Sequence, residues 1–298
     1  MMKKKEILSK IQLRQSTIKD YLSCPLMFKF KHLEGIKPSY RHPAALHGST
    51  IHKIIYLFHQ EGWDLDIERE YREIFDQYSK ESDVPIFWKG DPGRELERLV
   101  KNGVEILNGY RGNLDNILAK VIYSEVKFRV KVTGELFTGT IDQVRENSEG
   151  FTDLIDFKSN RQKPTDAFLK NDWQLSLYAY ALRFGEMLIA GEWIKPKILP
   201  KNTTWYFLRN HEIRKTNTMY GKKGEEKGDP IFRSKRSMDD LKKFRVHTKH
   251  LLNSMLKDWY YPNTNHCIMC AYKSDCIGGE YQIQEELIDE VKKILEKI

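Results

Sequence analysis

Apolar residues recur at every third or fourth position in some stretches of the chain and at every second position in others. That change of period separates helices from strands. Helical spacing starts after Ser16 or Thr17, either of which can cap a helix running to about Phe30, with Pro25 breaking or kinking it midway. Ile51, Ile54, Ile55 and Phe58 place a second helix over 44–60. Two more helical patterns, 67–79 and 94–110, are separated by Pro85 and by the turn Gly90-Asp91-Pro92-Gly93.

The period then shortens. Ile122, Val126, Phe128, Val130 and Val132 are among the apolar positions of a strand over 121–131, and further strands follow at 135–145 and 151–158. Short turns between them, one at 147–150, predict an antiparallel meander. A strong helix over 173–188 comes next, then a fourth strand over 203–208 (Thr-Thr-Trp-Tyr-Phe-Leu). The polar, basic, Gly-containing segment 219–237 reads as a mobile loop, 241–259 as a helix and 285–298 as a charged amphipathic helix. Together these elements predict one α/β domain over 1–298: a mixed central sheet flanked by helices, with 61–120 as a helical insertion. No internal repeat or low-complexity tract interrupts the pattern.

Composition changes this picture little. The chain has 298 residues, 40% hydrophobic and 31% charged, enough for a substantial core and a soluble surface. Its net charge of +8 favours an anionic partner, nucleic acid first. Lys3, Lys4 and Lys5 are followed by no apolar run of signal-peptide or membrane-spanning length. A cytoplasmic protein with no membrane partner is the expectation.

The chemistry concentrates between Gly139 and Tyr178. Side chains two apart on a strand share a face, so Asp156 and Lys158 should point together, with Phe157 in the core. Asp142, on the adjacent predicted strand, is placed to share a divalent cation with Asp156. Lys158 can then orient a water or stabilise a pentavalent phosphate. Gln174 and Tyr178, four apart on the following helix, share one of its faces. Upstream, His52 lies one helical turn after Gly48, and a neutral imidazole can ligate a metal.

A second constellation uses all four cysteines of the chain. Cys267, Cys270 and Cys276 are clustered, and Cys24 is far upstream. Four thiolates complete either a tetrahedral Zn²⁺ site or a [4Fe–4S] cluster. Basic residues crowd the later part of the chain, including Arg233, Lys235, Arg236, Lys242 and Lys243. Trp63, Phe87, Trp88 and Tyr110 in the predicted insertion are candidates to stack on unpaired bases.

This combination resembles the RecB-like branch of the PD-(D/E)XK nucleases. The resemblance rests on His52 in Gly-x-x-x-His, Asp142 in Gly-x-Ile-Asp, Asp156-Phe157-Lys158, and Gln174 with Tyr178. Ile155 stands where the named motif has proline. The resemblance implies a restriction-endonuclease-like core. It implies His52, Asp142, Asp156 and the Phe157 carbonyl as ligands of Mg²⁺ or Mn²⁺. Lys158 would be catalytic, and Gln174 and Tyr178 would support the site or the DNA. Glu125 stands where such relatives often carry a glutamate and ranks behind these. Cys24-Pro25-Leu26-Met27-Phe28 resembles the cysteine context of the iron–sulfur subset, which includes the AddB nuclease domain and CRISPR-associated RecB-like exonucleases. That likeness implies a [4Fe–4S] cluster, in preference to zinc, on Cys24, Cys267, Cys270 and Cys276, with 260–280 closing onto Cys24 as a structural staple. The implied function is a metal-dependent DNA exonuclease acting on single strands or ends in repair, recombination or CRISPR-type processing. Alternatives are a DNA-binding subunit of a recombination or adaptation complex with little cleavage of its own, and a structure-selective endonuclease.

Overall fold

A computed structural model describes residues 7, 11–146, 149–159, 164–211, 230–257, 260–273 and 275–276. Strands β1 (Lys120–Val132) and β2 (Glu135–Glu146) are the longest and pair antiparallel. Their two-residue connection, Thr133 and Gly134, has φ of 53° and 93°. This is the left-handed pair that matches the twist of a hairpin. β3 (Thr152–Lys158) pairs antiparallel with β2, completing the expected meander. β6 (Asn202–Phe207) lies parallel to β3. A parallel neighbour needs a crossover, and 159–201 supply it. The sheet is therefore mixed, as its sequence pattern predicts, with order β5-β4-β1-β2-β3-β6-β7.

Nine helices of the described residues frame the sheet and the site. They are α1 (Gln15–Ser23), α2 (Pro25–Phe28), α3 (Pro43–Glu61), α4 (Ile67–Lys80), α5 (Pro92–Arg111), α6 (Leu114–Ile117) and, after β3, α7 (Asp166–Asn171). They are completed by α8 (Trp173–Phe184) and α9 (Met238–Met255). Pro25 breaks the first helix at Cys24 and takes the first position of the next, where its missing N–H costs nothing. Ile155, Phe157 and Tyr206 pack with α3, α4 and α5 in one core cluster. Val126, Phe128, Leu154 and Trp205 pack with α8 and α9 in another. With helices on both sides, neither face of β3 is open, so Asp156 is buried and not solvent-facing.

Three sequence expectations are corrected. The helix from Trp173 stops at Phe184, not near Leu188. A Cβ on Gly185 would lie 2.7 Å from the Arg129 carbonyl oxygen, so the chain turns there against β1. Glu186–Ile189 then forms β4 beside β1, and a left-handed Ala190-Gly191 turn leads into β5, Glu192–Ile194. The run Met187-Leu188-Ile189 fits either period, and only the turn after it decides. Second, the expected loop 219–237 contains β7 (Ile231–Ser234), paired with β6. Residues 147–148, 212–229 and 285–298, which hold 219–229 of that loop, part of the 147–150 turn and the expected last helix, lie outside the described residues. Third, the aromatics of 61–120 are mostly packing. Tyr110 is fully buried, Trp63 stacks on Phe58 at 5.2 Å, and Trp88 lies 6.4 Å from Phe75. Phe87 is exposed but rests on Tyr40. No helix among the described residues is long and apolar enough to cross a membrane.

Candidate active site

The sheet register sets the carboxylates in a line. Gln143 pairs with Ile155 and Val144 with Leu154, which leaves Asp142 across from Asp156. Ser124 pairs with Gln143 and Val126 with Ile141, which leaves Glu125 across from Asp142. Three adjacent strands thus bring three acidic residues together, although the sequence analysis ranks Glu125 behind the other two. Glu125 has φ of 49°, a left-handed conformation inside a strand. For a residue with a Cβ this conformation is sparsely populated and costs on the order of 1–3 kcal/mol, typically at sites that need a re-aimed side chain.

Helix α3 brings His52 to the line. Its Nδ1 lies 3.5 Å from Asp142 Oδ2 and 4.0 Å from Glu125 Oε1. Gly48, one turn earlier, faces the end of β3, where a Cβ would be in ordinary contact with Ser159 Oγ at 3.4 Å. Asp142 is anchored from the other side by the Phe157 backbone N–H, which donates to Oδ2 at 2.8 Å. The Phe157 ring is buried edge-on against His52 and Tyr110. It holds the two layers in place, as its alternation with Asp156 and Lys158 predicts.

Lys158 connects the carboxylates to α8. Its Nζ forms an ion pair with Asp156 Oδ2 and donates to Gln174 Oε1 at 2.9 Å. Gln174 Nε2 donates to the Tyr178 hydroxyl at 2.9 Å. Tyr178 stands edge-on to Phe128, and a Cβ on Gly139 would lie 2.7 Å from that Phe128 ring, so Gly139 leaves room for this stack. The start of α8 is fixed by a group the sequence analysis does not single out for this role. Arg236 is buried, and it donates to Ser176 Oγ at 2.8 Å, the Leu169 carbonyl at 2.9 Å and the Asp172 carbonyl at 3.3 Å. Asp172 caps the helix by accepting from Leu175 N–H at 2.7 Å. In sequence Arg236 is one of many basic residues, and only the long-range packing distinguishes it.

The electrostatics record a surplus of negative charge. Burial, reinforced by Asp142, pushes Glu125 up to about 8, with Lys53 opposing. Burial pushes Asp156 up to about 7, against the pull of Lys158. Burial also disfavours the Lys158 ammonium, but Asp156 and Asp142 outweigh it and hold the lysine above its ordinary value. Carboxylates this close resist joint ionisation unless a cation joins them. His52, Glu125 and Asp142 each present a donor atom within 4.8 Å of the others, and no other such trio occurs among the described residues. Carboxylate oxygens suit Mg²⁺ and Mn²⁺, whereas imidazole suits transition metals, so this mixed donor set fits Mn²⁺ better than Mg²⁺.

The four cysteines also meet. Cys24, Cys267, Cys270 and Cys276 line one small cavity with Met27 and Phe30. Backbone bonds tie the two ends of the chain there: Leu26 N–H donates to Tyr261 O at 3.2 Å and Asn263 N–H to Cys24 Sγ at 3.3 Å. Burial, with the neighbouring thiols adding to it, pushes Cys270 and Cys276 above the ordinary thiol value.

Similarity to known proteins agrees with this geometry. The crystal structure of a candidate exonuclease from Eubacterium rectale superposes with a TM-score of 0.50 at 14% identity, covering 92% of this chain and 96% of that one. At that identity the likeness is one of fold. A second crystal structure, of SSO0001, is 14% identical over 89% of this chain and 95% of its own, but its TM-score of 0.32 carries no weight. No curated protein matches significantly. The family profile of the PD-(D/E)XK nuclease superfamily matches residues 12–277, a span that holds the carboxylate line, Lys158 and the four cysteines. The chain belongs to the PD-(D/E)XK nuclease superfamily.

Proposed function

We propose that this nuclease is a DNA exonuclease dependent on Mg²⁺ or Mn²⁺, working on single strands or ends. The observation that carries the reading is the line Glu125–Asp142–Asp156 with His52 at one side and the Lys158–Gln174–Tyr178 chain at the other. His52, Asp142, Asp156 and the Phe157 carbonyl would hold the cation, as the family resemblance implies, and Glu125 joins them on the strength of its position. The bound ion would supply Lewis acidity at the phosphate and a more acidic water. Lys158 stays protonated and donates to a non-bridging phosphate oxygen, where negative charge grows as the fifth oxygen bond forms. Gln174 fixes the direction of that ammonium, and Tyr178 fixes Gln174. End-labelled linear single strands should be degraded with Mn²⁺ and left intact in EDTA. A linear strand left uncut under every divalent cation would overturn the reading, and cutting of a closed circular single strand would replace exonuclease with endonuclease action.

The same proposal gives the cysteine cavity a [4Fe–4S] cluster with a structural role, because four protein thiolates leave no open position. The likeness of the Cys24 context to the iron–sulfur subset favours a cluster over zinc. Anaerobically purified protein should be brown, and Cys270→Ala should lose both the colour and about 10 °C or more of thermal stability, since the cavity joins the two ends of the chain. A colourless protein with one equivalent of zinc would reverse the assignment.

A further inference from the structure

The concave surface around the site extends beyond the carboxylates in two directions. One stretch, about 690 Å³, contains His52 and Glu125 and is flanked by Lys53 and Tyr56. The other, about 500 Å³, contains Tyr178 and is flanked by Arg14 and Trp193. Both include Lys127 and Thr140, which are register partners on β1 and β2. The two stretches share these residues and form one groove crossing the central hairpin, with His52 and Glu125 in one half.

We propose that Trp193 and Arg14 form a subsite for an unpaired nucleotide of the substrate strand, away from the scissile phosphate on the α8 side. The inference rests on the nuclease reading above and assigns the single-strand preference to particular residues. Trp193 lies on β5, the edge of the sheet, where all three residues are exposed. It remains 38% exposed although the Arg129 guanidinium lies 4.4 Å over its ring. Arg129 is itself held by Glu186 at 2.6 Å, so the ring is backed by a fixed cation. An indole that lines a basic groove in this way is a platform for a base. A duplex keeps its base faces inside the stack, so only an unpaired nucleotide can use the platform. Arg14 and Lys127 are exposed cations in the same half of the groove, placed to neutralise the phosphates that lead to and from that base.

The test is equilibrium binding of a fluorescent oligothymidylate of a dozen nucleotides in EDTA, where no cleavage competes. Trp193→Ala should weaken binding roughly tenfold, and Trp193→Phe should restore most of it, as stacking energies imply. Arg14→Ala should weaken binding and lower the salt slope by about one unit. Binding of a blunt duplex of equal length should not change in any of the three. Wild-type affinity in Trp193→Ala, or an equal loss for single strand and duplex, would overturn the subsite. The nuclease reading fails separately, if the wild-type chain leaves linear single strands uncut while Trp193→Ala still loses affinity for them.

Discussion

Lys158→Met yields a folded chain whose rate of DNA cleavage falls at least on the order of a thousandfold, with substrate affinity changed far less. The size of the effect follows from where the ammonium sits. Its Nζ is shared between Asp156 and Gln174 and is only a fifth exposed, so its field at a bound phosphate is poorly screened by water. Methionine keeps the length and apolar stem but removes the donor and the charge. It also removes the counter-charge of Asp156, which is 1% exposed. Leaving a buried carboxylate unpaired is costly unless it takes up a proton. Asp156 already lies at about 7, and loss of the lysine drives it higher. The variant should therefore melt below the wild type at pH 8 and approach it near pH 5.5, where Asp156 is neutral in both. Lys158→Arg should not rescue cleavage, because a planar fork cannot occupy the space of a compact ammonium between Asp156 and Gln174. Activity within tenfold of wild type in Lys158→Met would remove Lys158 from the mechanism.

How far the site is legible in sequence depends on how local each piece is. Asp156, Phe157 and Lys158 are adjacent in the chain, and alternation alone tells which of them share a direction. Gln174 and Tyr178 follow from helical spacing in the same way. The partnership of Asp142 with Asp156 needs only that two consecutive strands pair. The position of Glu125 needs more: the register of β1 on β2, and the left-handed backbone at a residue whose type does not announce it. Trp193 is less accessible still. The apolar run before it fits a continued helix as well as a strand, so the hairpin that carries it to the groove appears only once Gly185 meets β1. Arg236 acts across sixty or more residues on Leu169, Asp172 and Ser176. Nothing in its local sequence separates it from the solvated lysines and arginines around it. The cysteines are the opposite case, since four identical reactive groups are conspicuous at any separation. The fold follows the same rule: helices and the meander come from local period, while the parallel pairing of β3 with β6 and the burial of both sheet faces come from the crossover.

Glu125→Gln should have opposite effects in two measurements. Glutamine has nearly the same shape, so it fits the left-handed position as well as glutamate does, but it cannot ionise. In the metal-free protein, glutamate is held at about 8 by burial and by Asp142, whereas in the unfolded chain it titrates near 4.3. Between these values the folded state binds a proton that the unfolded state has released. Wild-type stability therefore falls as pH rises through this window, and the loss is complete above about 8. Glutamine escapes that loss. In EDTA at pH 8.5 the variant should melt about 2 °C or more above the wild type, and the gap should close as the pH approaches 4.5. Mn²⁺ reverses the order. Wild type gains stability from a cation that joins Glu125 to His52 and Asp142, in proportion to how far the ion exceeds its dissociation constant. The variant gains less, and its cleavage should fall about a hundredfold through weaker and misplaced ion binding. Raising Mn²⁺ should recover part of that loss, which separates a ligand from a group that merely shapes the strand. Full cleavage together with a full Mn²⁺-induced rise in melting temperature would make Glu125 a solvated strand residue and return the metal site to His52, Asp142, Asp156 and the Phe157 carbonyl.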